Sequence, residues 1–400
     1  MPGRRVVFTF GLLTALVSAG YGVMFTVLDD FRDKFGISEA ALGIVVAIGF
    51  LSSFLAQVFL APIADRGHAR HLVYVGLVFN IVGLVAMAYS TRLMPMLIAR
   101  FVMGVGAGMA QPAVRRIVIL ADPDNLGQNL GRLLAADVGG FAFGPALSAV
   151  IAGPFGIAAP FLVIAAATVA CLPIVHRVKV TETPDDGGER FAFALLRHRQ
   201  FMAAVVFGAA VFLMIGTFDT LWVIVLRDMH TADWIGNVGI TLFALPLVVL
   251  GSAGGRLAQR VGPFRLGALG LLIAAGFMFL YGHLPTGEVM LAVGLFHGVS
   301  DGLTVSSSGV AVGLVTPVER QAGAQGLLGG VQTLTAGLTA LVAGAVYQHG
   351  GRSLAFGACA AVMVMLVGLG AWLAGSSWSI RGEQPASQSR PITVDALAAD

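Results

Sequence analysis

Residues 97–116 read LIARFVMGVGAGMAQPAVRR, and residues 131–153, one polar turn later, read GRLLAADVGGFAFGPALSAVIAG. Each run approaches the roughly 20 apolar residues that a helix needs to cross a bilayer. Between them, however, they carry Arg100, Asp137 and two glycine pairs at four-residue spacing, Gly104 with Gly108 and Gly140 with Gly144. A charge at the centre of a spanning helix costs roughly 2.5–3.5 kcal/mol on insertion scales, so such residues face protein or a watery cavity. Small residues one turn apart let helix backbones approach closely. Gly144-Pro145 is expected to interrupt the second helix's hydrogen bonding, because proline has no N–H to donate. The stretch predicts a tightly packed, bendable helix pair beside a polar pathway.

The rest of the chain has the same character. Of its 400 residues 57% are hydrophobic and 11% charged, against about 25% charged in soluble domains. The composition predicts an all-α integral membrane protein. Twelve apolar runs are long enough to span: 6–28, 39–60, 72–90, 94–114, 133–152, 157–175, 201–226, 235–254, 266–283, 288–314, 322–346 and 353–374. The start has the charged front and apolar middle of a secretory signal, but with eleven spans behind it the reading is an uncleaved first helix. Cys171 and Cys359 both fall inside spans, so neither a disulfide framework nor zinc spacing is expected.

Basic residues fix an orientation. Of the 24, Arg100 lies within a span and Arg32, Lys34, Arg92, Arg227 and Arg352 fall on one side, leaving eighteen on the other. By the positive-inside rule the richer side, which holds both termini, is cytoplasmic. The expected location is a cell membrane, and the preference for Arg over Lys hints at a GC-rich bacterium. The basic residues are spread over loops, so no nucleic-acid partner is expected.

The chain also repeats. An offset of 194 residues carries Ala61-x-Ile63-Ala64-Asp65-Arg66 onto Gly255-x-Leu257-Ala258-Gln259-Arg260, Gly104 onto Gly298, Gly108 onto Gly302 and Leu133-Leu134 onto Leu327-Leu328. One shift serving three places predicts two parallel six-helix repeats, 1–175 and 201–375, with a substrate site at their interface. Residues 176–200 read as a cytoplasmic linker, and 376–400 as a disordered cytoplasmic tail. Asp29-Asp30 reads as outer loop. Asp65, in the turn after the second span, is placed to sit against the positive end of a helix starting on the same face.

These residues resemble the major facilitator superfamily over essentially all of 5–375. APIADRGHAR, around Asp65, resembles that family's G-x-L-A-D-R-x-G-R-R signature, and GRLAQRVGPFR is its second copy with Gln259 for the acid. Arg100 with GVGAG resembles the fourth-span signature. Gly131, Gly140, Gly144 and Pro145 match G-x8-G-x3-G-P-x2-G-G of the proton-coupled antiporters, with Ser148 and Ala149 for the last pair. The resemblance implies two pseudo-symmetric six-helix bundles exchanging drugs or other amphipathic compounds for protons. It further implies that the first, fourth, seventh and tenth spans line the cavity.

Proton-driven transport needs a carboxylate or histidine inside the membrane. Asp137, Asp219, His297 and Asp301 qualify. His297 and Asp301 share one helix face and could instead be a satisfied polar pair that holds helices together. Asp219, near Phe218 and Trp222, could line the cavity or pair with Arg227; Asp137 could be capped by Arg132. Arg100 resembles the family arginine that biases a neighbouring acid toward ionisation; the alternative is that it snorkels to the outer interface. Tyr21 and Phe25 could line the cavity or face lipid. Asp65, Arg66 and Arg260 suit conformational gating, as do Gly140, Gly144 and Pro145. No G-x4-G-K-[ST] loop or hydrolase constellation occurs. The expectation is a monomeric, non-enzymatic secondary transporter with protons as the coupling ion and no cofactor or metal. It would export small amphipathic or cationic molecules by alternating access; uptake of a nutrient, or lipid translocation, is the alternative.

Overall fold

A computed structural model describes residues 2–177 and 191–382. Among the described residues every regular element is helical: α1 (Pro2–Phe35), α2 (Glu39–Phe59), α3 (Ala69–Tyr89), α4 (Leu93–Ala121), α5 (Leu126–Phe155), α6 (Ala158–Arg177), α7 (Arg199–Asp228), α8 (Asp233–Val261), α9 (Pro263–Tyr281), α10 (Gly287–Thr304), α11 (Ser307–Val315) and α12 (Gln321–Ala374). Helices dominate because hydrocarbon offers no water to satisfy backbone N–H and C=O groups, so each segment must satisfy its own.

Ten stretches are long and apolar enough to cross a membrane. One of them contains α12, which is two helices joined at Gly351, where φ of 67° and ψ of −173° break the helix. With α6, whose apolar stretch Ala158–Pro173 is shorter, the expected twelve spans are accounted for. The tenth is made of α10 and α11, with the chain interrupted at Val305 and Ser306. Large apolar side chains such as Phe8, Phe155, Phe296 and Leu341 are exposed, as suits a surface solvated by lipid.

Contacts divide the chain into two compact units. The first holds Met1–Pro123, Ala136–Ala192 and Val318–Gly330; the second holds Asp124–Ala135, Phe193–Pro317 and Val331–Asp400. These are not the continuous halves 1–175 and 201–375 drawn from the repeat. The opening of α5 groups with the second unit and the opening of α12 with the first. The reason is close backbone approach. In the second unit, a Cβ on Gly127 would strike the carbonyl of Gly255 on α8, and one on Gly131 would strike that of Gly251. In the first, a Cβ on Gly326 of α12 would strike the carbonyl of Gln57 on α2. Gly251 lies 194 residues after Gln57, so both crossings fall at repeat-related places.

Within the first unit α4 packs on α2 and α3. An apolar core of Val23, Met24, Phe31, Met96, Met103 and Phe161 joins α1, α4 and α6. Within the second, α8 packs on α10.

α5 continues through Pro145 and Pro154, with the hydrogen bond at Pro145 interrupted as the sequence implies. The neighbouring backbone accommodates it: the Phe141 carbonyl, one turn back, receives no N–H from Pro145 and lies against Gly22 of α1, where a side chain could not fit. One expectation needs correction: the tail starts later than 376. Gly375–Ser379 forms a 3-10 turn, Ser377 is buried, and the Gly382 N–H donates to the Gln259 carbonyl at 2.9 Å. Residues 178–190 of the linker and 383–400 of the tail lie outside the described residues.

The glycine crossings yield a contrast. Gly255→Ala forces backbone apart, and overpacking of this kind costs about 1–3 kcal/mol; a melting temperature at least about 2 °C below wild type is expected in detergent. Gly276→Ala, where nothing lies within 4 Å of the new Cβ, should leave melting unchanged or raise it, since alanine favours helix by roughly 0.5–1 kcal/mol.

Candidate functional site

Four polar centres lie on this framework, two in each unit. The first surrounds Asp65, in the 3-10 turn Ala61–Arg66 after α2. One carboxylate oxygen accepts from Arg116 Nε at 2.9 Å and from the Ala322 N–H at 2.9 Å; the other accepts from the Gly323 N–H at 2.7 Å. The two amides belong to the first turn of α12, where N–H groups have no partner within the helix. A carboxylate suits that positive end, and bonds to a charged acceptor are each worth about 1.5–3 kcal/mol. Arg116 is fully buried, so Asp65 also neutralises a guanidinium removed from water.

The repeat-related position in the second unit does the same job without charge. The Gln259 side-chain oxygen accepts from the Gly127 N–H at 2.7 Å, and its amide donates to the Asp124 carbonyl at 2.9 Å, which caps the start of α5. Arg66 is half-buried and Arg260 exposed.

Higher in the first unit, Asp137 is half-buried and lies between α1, α4 and α5. It accepts a short hydrogen bond from the Ser18 hydroxyl and a long one from Gln111 Nε2 at 3.4 Å. Arg132 does not cap it; that side chain donates to Asn129 at 3.1 Å. Gly140 and Gly144 bring α5 onto α1, where a Cβ on either would strike the carbonyl of Ala15 or Ala19. Arg100 is fully buried, not snorkelled. Its guanidinium carbon sits 4.1 Å from the Tyr21 ring centroid, and the Tyr21 hydroxyl donates to the Gly49 carbonyl at 3.3 Å. No carboxylate among the described residues lies within ion-pair distance of Arg100. The Phe25 side chain is outside the described residues.

In the second unit His297 and Asp301 are brought together as one face of α10, Nε2 to Oδ2 at 3.5 Å. His297 Nδ1 is 3.0 Å from the Tyr281 hydroxyl. Around the imidazole stand Phe277, stacked at 4.9 Å, Phe243 at 5.3 Å and Phe218 at 6.4 Å. Asp301 borders a small cleft between α7, α9 and the α10–α11 break, with Thr304, Ser307 and Ser308. Phe218 and Trp222, expected to line a cavity, are 2% and 0% exposed; they are interior rings tilted against each other, with centroids 4.8 Å apart. Asp219, one residue on, points the other way and is exposed. Arg227 lies eight residues, about 12 Å, farther along the helix axis, and no ion pair joins them among the described residues.

The family profile described as the Major Facilitator Superfamily matches residues 10–287 and 220–393. The chain belongs to the Major Facilitator Superfamily. Among curated relatives, the quinolone resistance protein NorA of Staphylococcus aureus (strain MSSA476) is 24% identical over 239 residues, 58% of this chain and 59% of that protein. The multidrug resistance protein MdtG of Proteus mirabilis (strain HI4320) is 22% identical over 264 residues, 62% of this chain and 65% of that protein. Each match therefore spans less than two thirds of the relative's length. Of solved structures, the human organic anion transporter MFSD10 superimposes with a TM-score of 0.77 at 18% identity, covering 92% of this chain and 100% of that one; this likeness is one of fold.

Major facilitator proteins are multi-pass membrane transporters of small molecules and not enzymes, and this chain is one of them. Several of its site residues carried no signal in sequence. Arg116 reads as one more loop-edge arginine, Tyr281 as the end of an apolar run, and Ser18 and Gln111 as ordinary helix polar residues. Only Gln259 could have been found beforehand, because it falls on Asp65 in the repeat.

The two helix caps should differ in strength. Asp65→Ala takes the carboxylate from a buried guanidinium and from two amides and is expected to cost about 3 kcal/mol. Gln259→Ala removes neutral bonds worth about 1–2 kcal/mol. Thermal melting of the two purified variants checks the order, and equal losses would contradict it.

Proposed function

We propose that this transporter is a proton-coupled exporter of small amphipathic or cationic compounds. On this reading it works as a monomer in a bacterial cell membrane, with both termini cytoplasmic. The observation that carries the reading is Asp137: a half-buried acid within a span, bonded by Ser18 and Gln111 from two other helices and facing the charge of Arg115. Protonation would give it a donor hydroxyl and weaken both acceptor bonds, so proton occupancy and the fastening of α1, α4 and α5 are tied together. Asp219, on the outer face of α7, is a second acid within a span. His297 and Asp301, enclosed by aromatic rings, fit the holding of helices better than direct substrate contact. The likeness to a quinolone resistance protein and a multidrug resistance protein supports export.

Alternating access follows from the caps. Asp65 and Gln259 fasten helix starts that must separate if the cytoplasmic side is to open, and Gly140, Gly144 and Pro145 let α5 slide on α1 without side-chain interlocking.

Everted membrane vesicles with an acid lumen test the reading with ethidium as the probe. Accumulation should collapse on addition of nigericin, and Asp137→Asn should lower it at least tenfold. Accumulation indifferent to nigericin would remove proton coupling, and ethidium-independent uptake of a nutrient in intact cells would favour the alternative direction. Asp65→Asn should slow accumulation severalfold while ethidium affinity stays within about twofold of wild type; a large affinity loss with normal turnover would refute the gating role.

A further inference from the structure

Two arginines are among the largest fully buried side chains, Arg100 and Arg116. Arg116 has the Asp65 carboxylate at 2.9 Å. Arg100 has nothing comparable: its Nε, Nη1 and Nη2 make no hydrogen bond among the described residues. A guanidinium stays protonated in a protein, so this charge cannot be discharged by losing a proton. The Tyr21 ring 4.1 Å away supplies a cation–π contact worth about 0.5–2 kcal/mol, less than the several kcal/mol that removing an ion from water costs. Five N–H donors in a planar fork are thus buried with no acceptor among the described residues.

Gly49 lets α2 pack directly on this side chain: a Cβ there would lie 2.5 Å from Arg100 Nε and 3.0 Å from its Cδ. Tyr21, 8% exposed, covers the guanidinium, and the 3.3 Å bond of its hydroxyl to the Gly49 carbonyl is long for an O–H donor. We propose that Arg100 is an anion-receiving subsite that takes the carboxylate of the transported molecule in a two-pronged bond, with Tyr21 as its displaceable cover. Tyr21 and Ser18 are three residues apart on one face of α1, and Ser18 is bonded to Asp137. A cation-attracting acid and an anion-attracting arginine therefore border the same stretch of helix. The substrate class that fits is an amphipathic acid or zwitterion. The inference rests on the transport reading above and narrows it.

Binding to the purified full chain tests it, with 1-naphthoate as the probe and 1-naphthamide as its uncharged counterpart. Naphthoate should raise the melting temperature and naphthamide should not; Arg100→Gln should abolish the shift, and Arg100→Lys should weaken naphthoate at least tenfold because an ammonium cannot make the fork. Unliganded Arg100→Gln should melt no lower than wild type, since it removes an unpartnered buried charge. Equal stabilisation of wild type and Arg100→Gln, stabilisation by the amide, absence of any naphthoate effect, or an Arg100→Gln chain that melts several degrees lower or fails to fold would each overturn the subsite. Loss of gradient-driven ethidium accumulation with naphthoate binding intact would remove the export reading and leave the subsite standing; the opposite pattern would do the reverse.

Discussion

Hydrophobic attraction cannot draw two helices together inside a bilayer, because lipid tails are as apolar as leucine. What remains is contact so close that backbone meets backbone, and glycine is the residue that allows it. The crossings of α5 on α8 through Gly127, Gly131, Gly251 and Gly255, of α12 on α2 through Gly326, and of α5 on α1 through Gly140 and Gly144 all have this form. Each leaves a carbonyl of one helix where a side chain of the other would have been. The grouping of residues into two units, with short segments exchanged between the continuous halves, follows from where those contacts fall.

Against that background the polar groups divide by how their cost is met. Asp65 and Arg116 satisfy each other and a helix terminus. His297 and Asp301 share an aromatic enclosure with Tyr281. Asp137 is met by the Ser18 hydroxyl, the Gln111 amide and the nearby charge of Arg115, and Arg100 by an aromatic face. Asp65 with Arg116 holds structure together. Arg100 and the His297–Asp301 pair, whose facing Nε2 and Oδ2 have no hydrogen-bond partner among the described residues, leave electrostatic work undone, and in a transporter unfinished electrostatics is where a proton or a substrate can act.

Much of this was legible in the sequence. Hydropathy runs placed the spans, since spanning helices must be apolar for their whole length, and the repeat placed Asp65 and Gln259 in corresponding turns. The expectation that Asp65 sits against a helix start came from an acid in a tight turn at the end of a span; the structure names α12 as that helix. Side-chain direction was less legible. Phe218 and Asp219 are neighbours in sequence, yet one is interior and the other exposed, and no pattern in a uniformly apolar helix says which face is which. Partners distant in sequence were hidden too: Ser18 lies 119 residues from Asp137. Pro145 was legible as a missing N–H, but the Gly22 of α1 that the freed Phe141 carbonyl lies against was not.

The two caps have one further consequence. A duplicated scaffold is fastened in one place by a full negative charge on a buried cation and in the corresponding place by an uncharged amide. Local electrostatic potential acts on the first fastening and hardly touches the second. A molecule whose halves are alike in form thus responds unequally to the same surroundings, and a direction of operation can arise from chemistry alone where geometry is nearly even-handed.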